Sequence, residues 1–275
     1  MTIGSHTFLD TRTMSWESHG DSMRKVLHED PVAQRSIILR YFPPNQASTP
    51  FRWFHRTVRE TFLFLWGEYR GWEFTAPEDR DGRVVVFRQG TFMDRPPRSL
   101  HGRRPAASAI GSEFLQWHSH GGSFDADPQE SFALPDGAAI PDGPPFRSPK
   151  IVETDDLPWR AHPRLPGASI RQLSAHEEGA AAGRYPIALV SLPHGWVASP
   201  EGRIAGAGGR PWLFVLWGSV GLNVAGVDLR ARRGCYLDWQ APSEVRFADE
   251  PVAEEGCVAF CVGHTLSSPI AISGD

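Results

Sequence analysis

Lysine is nearly missing from this chain: of 28 basic residues only Lys25 and Lys150 are lysine. The arginines that replace it form no basic stripe. Against 32 acidic residues they leave a net charge of -4, which argues against nucleic acid or an anionic membrane surface as a partner. Cysteine is scarce as well. Cys235, Cys257 and Cys261 are too few for a disulfide framework and lack zinc-site spacing. Cys257 and Cys261 would share one face of a strand, where a thiol packs as a small apolar group. No apolar run is long enough to span a bilayer. The opening residues MTIGSHTFLDTRTMSW lack the basic segment and apolar core of a signal peptide. These absences predict a soluble, cytoplasmic protein. Long helices are not expected either, because 27 glycines and 24 prolines interrupt the chain.

Short apolar segments rich in β-branched and aromatic residues fill the intervals. RSIILRYF, TFLFLWGEY, GRVVVF and SEFLQW all read as strands bounded by turn residues. DSMRKVLHED is the best helix candidate, although it also suits a strand. Many short strands with turn signals predict an all-β sandwich or barrel.

The strands come twice. LWG at Leu65–Gly67 returns at Leu216–Gly218, and Trp16 has a counterpart in Trp159. SIILRYFPP matches PIALVSLPHG, GTFMDRPPRSLH matches GCYLDWQAPSEV, and GSEFLQWHSH matches GCVAFCVGH. The blocks recur in one order at a nearly constant offset, the mark of an internal duplication. Between them lies a stretch rich in Pro, Gly, Asp and Ser, as in a linker. The expected division is residues 1–120, a linker at 121–150, and residues 151–275.

His55, Glu60 and Gly67, followed by Gly90, Pro96 and His101, stand at the spacing of the two cupin motifs. The chain therefore resembles the cupin superfamily. Trp53 takes the place of the first motif histidine, Ala47 that of the leading glycine and Arg98 that of the second-motif glycine. The resemblance implies two tandem jelly-roll barrels related by duplication. The openings FLDTRTMSW and IVETDDLPW are most similar to a group containing the anti-sigma-factor cupin, the acetylacetone dioxygenases and the dihydroxyacetophenone dioxygenases. That likeness implies a mononuclear non-heme dioxygenase cleaving a carbon–carbon bond in a small diketone or hydroxyketone. A non-catalytic metal or small-molecule sensor, or a cupin isomerase or lyase, is the alternative.

The residues carry a chemical expectation of their own. Imidazole nitrogens and a carboxylate oxygen aimed at one point make a site for a divalent transition metal. His55 and Glu60 differ in parity along a strand, so they converge only if the RTVR segment turns the chain. His101 would come from a neighbouring strand. Two histidines and one carboxylate with open positions favour Fe(II), and also suit Zn, Mn, Ni or Co. Trp53 and Phe62 would line the substrate cavity, and Arg98 would pair with an anionic substrate. His118 and His120, in WHSH, are either further ligands or loop histidines. In the second copy Gly206, Pro211 and Val245 align with the three ligands, so residues 151–275 are expected to bind no metal. A shifted alignment would instead offer His194 or His264. The expected partner is a small molecule, with a homodimer allowed.

Overall fold

The computed structural model describes residues 1–32, 35–45, 52–79, 81–102, 108–119, 131–134, 138–163, 165–174, 187–198, 203–205, 210–240, 244–248 and 252–263. Among these residues there is no α-helix, only the 3-10 turns Thr11–Thr13 and Thr154–Asp156. The strands are β1 (Thr2–Ile3), β2 (His6–Asp10), β3 (Glu17–His19), β4 (Ser22–Asp30), β5 (Arg35–Phe42), β6 (Arg52–His55), β7 (Arg59–Glu73), β8 (Arg83–Arg88), β9 (Thr91–Arg95), β10 (Ser99–Gly102) and β11 (Ser112–Ser119). They continue as β12 (Ser131–Leu134), β13 (Lys150–Glu153), β14 (Arg160–Ala161), β15 (Ser169–Ser174), β16 (Ile187–Leu192), β17 (Arg203–Ala205), β18 (Trp212–Val224), β19 (Val227–Arg232), β20 (Cys235–Trp239), β21 (Glu244–Phe247) and β22 (Cys257–Val262). The segment expected as a short helix is strand β4. Its antiparallel ladder with β5, from Met23↔Tyr41 to Asp30↔Arg35, outweighs a weak local helix preference.

Two compact units result, one formed by Met14–Asp156 and one by Met1–Thr13 with Leu157–Asp275. Each contains an 11-stranded sheet. In the first, the described ladder runs β12-β6-β10-β7-β11-β5-β4-β3, with β8 and β9 on β7 and β13 on β9. Among the described residues the two ends, β12 and β3, do not pair with each other. The second repeats the plan around β18.

This division corrects the boundaries expected from composition. β2 lies in the second unit, paired with β20 from His6↔Trp239 to Asp10↔Cys235. β12 and β13 lie within or beside the segment expected to be a linker, yet they pair with β6 and β9 in the first unit. Strand partners are fixed by non-local ladders that cover open sheet edges, which composition does not report.

The duplication is visible in fine geometry. Pairing of β7 with β11 slips between Glu113 and Phe114, and pairing of β18 with β22 slips between Val215 and Trp217. Leu65 and Leu216 are the extra residues at these matching bulges. Two residues on, Gly67 has φ +80° and Gly218 φ +67°. A Cβ would stand 2.0 Å from the Gly111 carbonyl oxygen in one case and 1.8 Å from that of Gly256 in the other. Only glycine lets the long central strand turn there.

Beneath the turn, Phe42, Phe62, Phe64, Phe87, Met93 and Phe114 form an aromatic core in the first unit. The second unit is filled by aliphatic residues with Trp196, Trp239 and Phe247. Its cysteines are buried, and burial pushes the Cys257 thiol up to about 12. That matches the packing role expected of them.

Candidate metal centre

One rung of the first unit's ladder lines up the polar groups. Ser36 on β5 stands opposite His118 on β11, His118 opposite Glu60 on β7, and Glu60 opposite Arg95 on β9. Residues directly opposite share a face, so all four project together. His55 ends β6, Arg56–Val58 turn the chain, and β7 begins at Arg59. That turn reconciles the unequal parity of His55 and Glu60. His101 arrives on β10, which pairs with β6 through Ser99↔His55 and His101↔Trp53.

The three expected ligands come together. Their donor atoms all lie within 4.8 Å of one another. His55 Nε2 is 3.0 Å from His101 Nε2 and 3.4 Å from Glu60 Oε2, and His101 Nε2 is 3.9 Å from that oxygen. Bonds of about 2.1 Å place neighbouring donors roughly 3.0 Å apart at right angles and 3.4 Å apart at tetrahedral angles. The triangle therefore fits one small cation with little rearrangement.

The protonation states suit that cation as well. Burial lowers the His55 pKa, and burial with Arg95 and His55 nearby holds that of His101 well below the usual range. Both rings are thus kept neutral, the form that ligates. Burial alone would raise the Glu60 pKa, but Arg95, His118 and His55 outweigh it and hold the carboxyl ionised.

The carboxylate is fixed from behind. Arg95 donates to Glu60 Oε2 through one terminal nitrogen and to Glu73 Oε1 through the other. Its Nε lies 3.4 Å from Glu73 Oε2, and its guanidinium carbon lies 5.3 Å from the Phe62 ring centre. Burial pushes the Glu73 pKa up despite this partner. Gln116 Nε2 donates to Glu60 Oε1 at 2.5 Å, and His118 Nε2 lies 3.2 Å from the same oxygen. Because that carboxylate only accepts, His118 carries its proton on Nε2. Its Nδ1 then faces the Ser36 hydroxyl at 3.4 Å. In this arrangement His118 braces Oε1 while the metal-facing oxygen is Oε2.

The other expected site residues fall in different places. Phe62 is buried on the same face, beside Arg95 and against Phe64 and Phe114. Trp53 shares a face with His55 and His101 by register, but 38% of its surface is open. It stands at the margin of that face and is not core. Arg98 is not brought to the site. Its backbone is left-handed, φ +69°, and its guanidinium donates to the carbonyls of Pro141 at 2.6 Å and Pro144 at 2.9 Å. The expected pairing with an anionic substrate is therefore replaced by a structural clamp. His120, Gly206 and His264 lie outside the described residues. His194 sits exposed in a turn.

Arg95, Glu73 and Gln116 were not expected. A usable signal exists for two of them. The aligned blocks set Arg95 against Trp239 and Gln116 against Cys261, the same polar-once contrast that distinguishes His55 and Glu60.

No family model and no curated protein matches the chain. Solved structures do. A candidate dioxygenase from Nostoc punctiforme superposes with TM-score 0.69 at 15% identity, covering 98% of this chain and 86% of that one. A deletion variant of oxalate decarboxylase OxdC from Bacillus subtilis gives 0.58 at 13% identity, with 96% and 78% covered. A cupin 2 conserved barrel domain protein from Leptotrichia buccalis gives 0.56 at 9% identity, with 96% and 98% covered. At such identities the likeness is one of fold, and the fold is that of a duplicated cupin. Among the described residues no helix is long and apolar enough to cross a membrane.

Proposed function

We propose that the Met14–Asp156 unit is a mononuclear, metal-dependent enzyme, a non-heme dioxygenase that cleaves a carbon–carbon bond in a small diketone or hydroxyketone. The observation that carries this is the convergence of His55, Glu60 and His101, with neutral imidazoles and an ionised carboxylate. One divalent ion, Fe(II) by preference and Zn, Mn, Ni or Co otherwise, would be held by these three side chains. Bound there, the ion would supply Lewis acidity and oxygen activation at positions the protein leaves open.

The remaining work falls to the chain itself. Arg95, Gln116 and His118 fix the Glu60 carboxylate so that its orientation need not change during turnover. Phe62 supplies an apolar floor, and Trp53 a flat wall at the margin, for a small planar substrate. The partner is thus a small molecule, and a cytoplasmic location and a homodimer accompany the proposal.

A metal-sensing protein is the second reading, favoured by the burial of His55 and Glu60, which also suits a site that holds an ion without turnover. Isomerase or lyase chemistry would use the same ligands. Elemental analysis of anaerobically purified protein, followed by Fe(II) loading and an oxygen electrode, separates these. Oxygen uptake with β-diketones or hydroxyacetophenones is the expected result. Stoichiometric metal without turnover of any such ketone would favour the sensor.

A further inference from the structure

A second polar file lies one rung from Glu60 on the same inner face. Gln116 stands opposite Phe62 on one side and Ile38 on the other. Diagonal to it, on β5, is Arg40. One terminal nitrogen of Arg40 donates to Gln116 Oε1 at 3.3 Å, and Gln116 Nε2 donates to Glu60 Oε1 at 2.5 Å. Arg40 is itself fixed. Its Nε donates to the Ser22 hydroxyl at 2.9 Å, its other terminal nitrogen lies 4.0 Å from Asp21, and its guanidinium carbon lies 5.0 Å from the Phe42 ring centre.

The order of these groups is forced. A guanidinium only donates and an ionised carboxylate only accepts. An amide between them must turn its oxygen to Arg40 and its nitrogen to Glu60. Turned the other way, it would set oxygen against oxygen at one end and N–H against N–H at the other. With Oε1 held by that amide, Oε2, which also accepts from Arg95, is the oxygen that faces the two imidazoles.

We propose that Arg40 is a positioning residue for the ion-binding carboxylate of Glu60, acting through the amide of Gln116. The inference rests on the metal-site reading given above. It differs from ordinary packing in that Arg40 touches none of the three ligands yet governs how one of them points.

The test is Mn(II) affinity of the full chain by calorimetry, with Co(II) visible absorption as a probe of ligand arrangement. Arg40→Met is expected to weaken Mn(II) binding about tenfold, the lower end of what losing an outer partner of a ligand costs. Gln116→Leu should weaken it at least as much, and the double variant no more than Gln116→Leu alone, because the two act in series. Arg40→Lys should recover part of the loss, and both single variants should shift the Co(II) bands alike. Should Arg40→Met fail to fold, Gln116→Glu serves instead. It keeps the shape but sets an oxygen against Glu60, and should also weaken Mn(II) binding. Unchanged affinity in the folded variant used, or strictly additive losses, would overturn the role of Arg40. A wild-type chain that binds neither Mn(II) nor Co(II) would sink the metal site itself, a different failure.

Discussion

The two units place the same ladder under opposite demands. At positions equivalent by strand register, Glu60 corresponds to Pro211, Glu73 to Val224, Arg95 to Trp239, His101 to Val245, Gln116 to Cys261 and His118 to Gly263. Val224, Trp239, Val245 and Cys261 belong to one buried apolar cluster. Where Arg95 backs Glu60, the amide of Trp239 donates to the carbonyl of Pro211 at 3.1 Å. The outer face tells another story. Arg59 pairs with Asp94 in one unit, and Arg210 with Asp238 in the other, its Nε donating at 2.8 Å. A polar pair on the same strands is therefore kept in both units. What differs is the inner face, where the ionisable groups named above differ together. A half-dismantled network would bury unpaired charge, which costs more than either a full network or none.

The largest test of this contrast is Arg95→Leu. Glu60 and Glu73 would then be buried without their cation, and the metal-free protein should lose about 3–5 kcal/mol in urea titrations. Trp239→Arg, the reverse exchange, should also destabilise strongly by placing an unpaired charge among apolar side chains. If either substitution is tolerated without loss, the two inner faces are less distinct than the structure shows.

Next comes metal content. His55→Ala or His101→Ala should each weaken Mn(II) or Fe(II) binding by ten- to a hundredfold or more, because loss of a direct ligand should exceed the effect of losing its outer partner. Val245→Ala should leave metal stoichiometry unchanged. Equal loss from both units, read by elemental analysis, would abolish the asymmetry.

A smaller effect is expected with pH. The folded pKa values of His55 and His101 are depressed, so their contribution is complete above about 6.5, the unfolded value. It fades as pH falls below that, because the unfolded chain then binds more protons. Glu60 contributes in the same direction at lower pH, above about 4.3 in full and lost as pH falls towards its depressed folded value. Glu73, whose pKa is raised, works the other way and offsets part of this. Melting temperature of the metal-free protein should therefore drop from pH 7 to pH 5, and His101→Gln should flatten the drop. An identical slope in that variant would remove His101 from the account. The smallest change concerns the outer pairs: Arg59→Leu and Arg210→Leu should cost similar amounts, roughly 1–3 kcal/mol, with no change in metal content.

Much of this was legible before any coordinates. LFLWG and FVLWG announce a duplicated strand because their apolar run and glycine reflect one bulge and one turn. His55, Glu60 and His101 could be found because motif spacing fixes them close to a turn or on a paired strand. Arg95 and Gln116 stood out only as polar residues present in one copy and not the other; their partner Glu60 is reached through ladder register, which links residues far apart in sequence. Arg98 misled because a left-handed backbone turns its side chain away from the face that spacing suggested. β13 was concealed by Pro- and Gly-rich neighbours.

The exchanged strands bear on how such a chain is made. Residues His6–Asp10 emerge first during synthesis, yet they pair with Cys235–Trp239, and the hydrogen bond from Thr11 to Gly234 closes a separation of 223 residues. The unit begun first is thus the one completed last, and β2, paired early only with the two-residue β1, must wait for β20 while nearly the whole polypeptide appears. The Met14–Asp156 unit is finished earlier, once Lys150–Glu153 is available to cover β9, the strand that carries Arg95. A chain released before Lys150 would bare that edge beside the charged centre, so the Met14–Asp156 unit depends on residues that stand just ahead of the second copy in the sequence.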